Sequence, residues 1–329
     1  MPRVFSGIQP SGELHIGNYL GAVKNWVAIQ HQFESIFCIV NLHAITQPYE
    51  PALLRERTHA MALTLIAAGL DPARCTLFVQ SDVREHTELQ WIFNTVAPLG
   101  ELERQTQFKD KSVRSAQRET SIPAGLLMYP VLQAADILLY RADRVPVGED
   151  QVQHLELSRV IARNWNARFE AGFFPEPQPM LTPTRRIMGL DGQAKMSKSL
   201  GNTVGLLESP DEIWAKLRLA MTDPARVKKT DPGNPEICNI FSLHKAFSPA
   251  EMVTTVDTNC RTAGWGCIDC KKVLHLNMVT ELAPIQARAA ELRAVPEQVT
   301  DAMAAGADRA RVIARETMRV VRDSVGLPP

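Results

Sequence analysis

Apolar, β-branched runs that alternate with helical periods confine the first half of this chain to one class of fold. SIFCIV (35–40) is a continuous apolar run rich in β-branched residues, the pattern of a strand buried on both faces of a parallel sheet, and CTLFVQ (75–80) reads as another buried strand. RVFSG (3–7) and RVPVG (144–148) read as shorter strands. Helical periods fall between them. Ile16, Leu20, Val23 and Val27 share one face, a helix follows from Ala52 to Ala68 with Gly69 as its stop, and further helices are expected near 86–97, 123–140 and 151–167. Strands alternating with helices predict an α/β fold built on a doubly wound parallel sheet. FFPEPQPMLTP (173–183) reads as a Pro-rich linker. Beyond about residue 206 only helical periods remain, near 211–220, 236–247, 273–292 and 298–325. The expected division is a catalytic α/β domain over 1–205 and an all-α C-terminal domain over 206–329.

A chain of 329 residues with 45% hydrophobic content can bury the core that two domains need. Lys plus Arg and Asp plus Glu balance at 36 each, so a polyanionic partner has to be met by a local basic surface. The opening MPRVFSGIQPSGELHIGN lacks the basic start and apolar run of a secretory signal, and no apolar stretch approaches the roughly 18 residues of a membrane span. A cytoplasmic protein without a membrane partner is expected.

Two motifs carry chemistry. In SGIQPSGELHIGN a strand end, a Gly-bearing turn and a helix N-terminus meet, an arrangement whose free N–H groups and dipole attract phosphate. Gly17 removes a side chain that would block close approach. About 180 residues later, AKMSKS (194–199) sets two lysines on a Gly-flanked loop, suited to neutralising a departing pyrophosphate. Alone, the first could be an ordinary turn and the second a solvated basic loop. Together and in this order they resemble the paired signatures of class I aminoacyl-tRNA synthetases, and the GxxxxGK[ST] loop of a Walker-type ATPase is missing.

SGIQPSG, ELERQTQFKDK (101–111), YPVLQAADILLY (129–140) and VPVGEDQ (145–151) resemble the tryptophanyl-tRNA synthetase family over roughly the first 220 residues. Asn18 closes the first signature where most class I enzymes carry His, as the tryptophanyl branch does. The resemblance implies a Rossmann-like catalytic domain and a helical domain that reads the anticodon. It implies Phe5, Gly7, Gln133, Ile137, Val145 and Val147 around an indole, with His43, Tyr129 and Gln151 near the polar end of the amino acid. For ATP it implies Gln9, Gly17, Asn18, Asp150, Met196 and Ser197, with Lys111, Lys195 and Lys198 around the phosphates and Mg²⁺ accompanying them; Gln9 and these lysines are the catalytic candidates. Gln133 departs from the family's usual Met. His15 is not expected to be an indispensable acid or base, since the branch tolerates Thr there.

Asp136 lies in the otherwise apolar stretch AADILL, where a carboxylate without a donor would cost several kcal/mol. An internal arginine could satisfy it; by resemblance the donor is the indole N–H of tryptophan, which would reject phenylalanine. Phe5 and the two valines would otherwise be assigned to core packing. A tyrosyl-tRNA synthetase, or a synthetase-like regulator that binds tryptophan or RNA without charging it, remains an alternative.

Cys38 and Cys75 stand alone, whereas Cys238-x21-Cys260-x6-Cys267-x2-Cys270 brings four thiols into one region. Such spacing suits zinc or a 4Fe-4S cluster. A subset of tryptophanyl-tRNA synthetases is similar here, which implies the 4Fe-4S cluster with zinc as the alternative. Trp265, Lys271 and Lys272 beside them could stack on a base and meet phosphate, or simply be solvated. The resemblance further implies activation of L-tryptophan by ATP, transfer to tRNA(Trp), and a homodimer.

Overall fold

The computed structural model describes residues 1–105, 122–148, 152–181 and 187–328. One sheet of five parallel strands lies at its centre, in the order β3-β2-β1-β4-β5. The strands are β1 Arg3–Ile8, β2 Glu34–Ile39, β3 Thr76–Val79, β4 Arg144–Val147 and β5 Gln178–Leu181. Successive residues point to opposite faces and feed two cores. Val4, Phe37, Ile39 and Leu77 enter one, and Phe5, Ile36, Cys38 and Phe78 the other.

The helices of the first half are α1 Ile16–Asn18, which passes through a π-helical turn at Tyr19–Val23 into α2 Lys24–Ile29, then α3 Asn41–Ala44, α4 Pro51–Ala67, α5 Glu85–Asn94 and α6 Leu99–Glu103. They continue as α7 Ala124–Leu139 and α8 Val152–Arg168. The second half is helical: α9 Pro210–Leu219, α10 Asn239–Phe247, α11 Ala250–Arg261, α12 Cys267–Ala294 and α13 Pro296–Ser324.

Besides the short helices α3 and α6, which were not expected, two larger elements differ from expectation. The Pro-rich stretch read as a linker contains β5, paired along its length with β4. Pro179 is tolerated there because β5 is an edge strand, whose outer side needs no N–H donor. The helix α11 was not expected; its Val253, Thr254, Thr255 and Val256 weaken helix propensity, and burial of Val256 against the helical core overrides that preference.

The division near residue 205 separates element types more than packing units. Val299 and Met303 of α13 belong to one core, while Ala307, Ala310, Ala314 and Met318 belong to the other, so the last helix crosses the sheet's β3 edge. Gly306 marks the crossing. A Cβ on it would lie 1.8 Å from the Leu77 carbonyl oxygen, so helix and strand backbones touch there. This contact covers an edge that would otherwise be open to pairing.

Candidate active site

The strand order reverses at β1, with β2 and β3 on one side and β4 and β5 on the other. In open α/β sheets the crevice at such a reversal receives ligands. Here it holds a cavity of about 310 Å³. Phe5, Gly7 and Gln9 line it from β1 and its exit, Val145 and Val147 from β4, Tyr129, Gln133, Asp136 and Ile137 from α7, and His43 from α3. Every described residue that the sequence placed around the amino acid is therefore brought to one cavity. Gly7 has a structural reason: a Cβ there would come within 2.8 Å of Val40 Cγ1. Lys111, Asp150 and Gln151 lie outside the described residues.

Asp136 corrects the expectation that either the indole N–H or an internal arginine is the donor this carboxylate needs: His43, Gln80 and His86 already donate to it. It is 1% exposed. His43 Nε2 lies 2.7 Å from its Oδ2, and its Oδ1 takes both the Gln80 amide at 2.7 Å and His86 Nδ1 at 2.7 Å. Burial would push the carboxyl up, but the charge and hydrogen bonds of His43 and His86 outweigh it and hold the group below the usual carboxylate range. The cavity thus does not depend on a ligand to satisfy Asp136, nor is the partner an arginine. Oδ2 carries one internal donor where Oδ1 carries two, so Oδ2 keeps acceptor capacity.

Gln80, His86, Tyr140 and His154 were missed in the sequence. All are buried, and Tyr129 OH lies 2.8 Å from His154 Nε2. Burial raises the Tyr129 phenol to about 12, so it stays neutral at the cavity wall. The only sequence signal was position: Gln80 is the polar residue that ends an otherwise largely apolar strand run.

The two phosphate motifs meet in space. Ile16 donates its backbone N–H to Val204 O at 2.9 Å, Leu206 donates to Leu14 O at 2.9 Å, and Met188 bridges Lys195 in a hairpin. The AKMSKS loop is thereby tied to the HIGN segment. Met196 is buried, with its Cβ 3.4 Å from where a Gly17 Cβ would stand, and Lys198 Nζ lies 3.3 Å from the corresponding point at Gly12. Gly12 has φ +123°, a conformation other residues rarely adopt, so the turn keeps its backbone bare under the lysine. His15 Nδ1 accepts the Asn18 N–H at 3.3 Å. That requires an unprotonated nitrogen, and burial together with the charges of Lys198 and Lys195 pushes the imidazole down to about 4. Asn202 braces the loop by accepting the Ser197 N–H and donating to Asp191, at 2.8 Å each.

In a void that shares no lining residue with the cavity, Cys238, Cys260, Cys267 and Cys270 come together with Arg226 and Trp265. Burial and the nearness of the other thiols push Cys270 up to about 12. Gly233 leaves room at this point, since its Cβ would stand 2.6 Å from Cys260 Sγ. Among the described residues, no three His, Cys, Asp or Glu side chains converge as a single-ion site. Lys271 departs from both readings, phosphate contact and a solvated surface cation. It is 5% exposed and its ammonium donates to the carbonyls of Arg218 and Ala220 at 2.9 and 2.7 Å, so it caps the end of α9 and meets no phosphate. Trp265 is half-buried and Lys272 exposed. No helix among the described residues is long and apolar enough to cross a membrane.

Residues 1–283 match the family model of class I tRNA synthetases, the W and Y group. The chain is 56% identical over 331 residues to the tryptophan–tRNA ligase of Deinococcus radiodurans, covering 99% of each. It is 44% identical over 332 residues to that of Thermosynechococcus vestitus, covering 98% of this chain and 99% of the relative. The tryptophanyl-tRNA synthetase of Campylobacter jejuni, solved with ADP and tryptophan, superposes with a TM-score of 0.89 at 35% identity, covering 99% of this chain and all of that one.

Proposed function

Since the chain belongs to the class I tRNA synthetases of the tryptophan and tyrosine group, we propose that its cavity and lysine loop form tryptophanyl-adenylate from L-tryptophan and ATP, then pass tryptophan to the 3′-terminal ribose of tRNA(Trp). One observation carries this reading: a cavity of about 310 Å³ with an apolar wall and one buried acid opens at the sheet's reversal, where the first strand leads into the HIGN turn. Phe5, Ile137, Val145 and Val147 would enclose the indole, Oδ2 of Asp136 would accept its N–H, and Tyr129 with His43 would face the polar end. Gln9, Gly17 and Asn18 would receive the nucleotide, together with Asp150.

The substrate carboxylate attacks the α-phosphorus of ATP in line and pyrophosphate leaves; no side-chain nucleophile is needed. Lys195 and Lys198, with Lys111, offset the charge that builds on the leaving oxygens. Mg²⁺, when it arrives with the nucleotide, supplies further neutralisation of the phosphates. A hydroxyl of the terminal ribose then displaces AMP from the adenylate. ATP–pyrophosphate exchange with tryptophan, tyrosine and phenylalanine side by side tests the assignment. Exchange driven by tryptophan alone, followed by charging of tRNA(Trp), is expected; equal exchange with tyrosine would overturn it.

The four cysteines would hold a 4Fe-4S cluster. Supporting this are the shared void, thiols drawn from three separate segments, and the space that Gly233 leaves beside Cys260. Anaerobically purified protein should be brown, with iron and sulfide in equal amounts, and Cys260→Ser should lose both; colourless protein containing zinc would replace the cluster with zinc. A cytoplasmic homodimer whose tRNA crosses from one subunit's helical half to the other's cavity completes the reading, and sedimentation with and without tRNA tests the dimer.

A further inference from the structure

The carboxylate of Asp136 is held from behind by groups that do not line the cavity. The Tyr140 hydroxyl lies 2.8 Å from His86 Nε2, and His86 Nδ1 lies 2.7 Å from Asp136 Oδ1. Against an ionised carboxylate Nδ1 donates, and Nε2 pairs with the Tyr140 hydroxyl on the far side of the ring, so the imidazole is held at both nitrogens. Gln80 adds the second donor to Oδ1, and its orientation is settled independently, because its Oε1 accepts the Leu42 backbone N–H at 3.0 Å. Gln80, His86 and Tyr140 are all 0% exposed. The Tyr140 ring also stacks on Phe5, a wall of the cavity, with centroids 5.6 Å apart.

We propose that His86, set by Tyr140 and assisted by Gln80, is a positioning residue for amino acid specificity. It fixes Oδ1 from behind so that the other oxygen, on the side of the cavity-lining His43, is presented ionised and in one orientation to the indole N–H. This rests on the reading that Asp136 accepts that N–H. A carboxylate held by a single donor can rotate about its terminal torsion or take up a proton, and either change removes the acceptor that distinguishes tryptophan from an isostere without the N–H. Two donors on Oδ1 prevent the rotation, and a hydrogen-bonded chain behind one of them prevents the imidazole from turning. The selectivity for the indole N–H is then a property of a chain from Tyr140 to His43 as well as of Asp136 itself.

The test compares kcat/KM for tryptophan with that for benzothienylalanine, in which sulfur replaces the indole N–H, in ATP–pyrophosphate exchange by the full-length enzyme. His86→Leu should reduce the preference for tryptophan by about tenfold to a hundredfold, as loss of a hydrogen bond to a charged group does, while the KM for ATP is unchanged. His86→Asn, whose amide can stand in for Nδ1–H, should restore most of the preference. Tyr140→Phe keeps the stacked ring and should give a smaller loss, so it decides the matter if His86→Leu fails to fold. A folded His86→Leu with the wild-type preference, a His86→Asn as impaired as the leucine variant, or, where the leucine variant does not fold, an unchanged Tyr140→Phe would each overturn the proposal. Asp136→Asn separates the two layers. If it abolishes the preference while the His86 and Tyr140 variants do not, only the positioning role fails; if it leaves the preference intact, the reading of Asp136 fails and the positioning role with it.

Discussion

The amino acid cavity and the phosphate loop lie close together yet are built on opposite plans. The cavity is framed by central strands and the α7 helix, and its one charge is locked by three donors with no freedom left. The AKMSKS loop is a hairpin tied down by a few backbone bonds and the buried Met196, and it carries Lys195 exposed to solvent. On the proposed assignment of the two regions, the difference follows from two tasks. Discriminating an indole from a phenyl ring demands an acceptor fixed before the ligand arrives, since disorder would dissipate the energy difference. Handling a triphosphate whose charge migrates demands cations that can follow it.

The largest effect should come from the rigid side. Asp136→Asn removes the charge and puts an NH2 donor in place of one of two acceptor oxygens that face three donors, so kcat/KM for tryptophan should fall on the order of a thousandfold with the KM for ATP nearly unchanged; equal loss of both would erase the contrast between the two regions. Lys198→Ala should slow adenylate formation about a hundredfold, as removal of one group stabilising the transition state does, with tryptophan affinity retained, measured by single-turnover kinetics and equilibrium binding. An unchanged rate would mean that the loop is only a strap.

A smaller effect measures how stiff the cavity is. Gly7→Ala places a methyl 2.8 Å from Val40 Cγ1 in the cavity wall, and the KM for tryptophan should rise about tenfold, within the usual cost of overpacking; a wild-type KM would show that the wall yields. The smallest effect concerns the hinge between the motifs. The unfolded chain takes a proton on His15 near its ordinary value of 6.5, whereas the folded protein does not until about 4. Its contribution is therefore complete above the first value and lost as pH falls toward the second. The melting temperature of the wild type should fall relative to His15→Asn by a few °C across that window; parallel curves would contradict the shift.

What was legible depended on local signals. The runs at 35–40 and 75–80 are legible as strands because they are short, largely apolar and rich in β-branched and aromatic residues, and the motifs carrying His15 to Asn18 and Lys195 to Lys198 are recognisable because phosphate chemistry fixes their spacing. QPML was illegible as a strand because a proline on an edge leaves no mark that separates it from a linker. Lys271 looked like a surface cation because sequence cannot tell which carbonyls lie within reach of its ammonium.

Sequence by itself determined the alternation that makes a parallel sheet, the two phosphate motifs, and the acid at position 136 in an apolar helix. Tertiary structure alone decided who attends that acid. Gln80 and His86 lie 56 and 50 residues from it along the chain, and hydrogen bonds form by distance in space, which no local period encodes. The same reason explains why the last helix belongs to the first sheet: Gly306 is an ordinary weak helix residue until the backbone of Leu77 arrives where its side chain would have been.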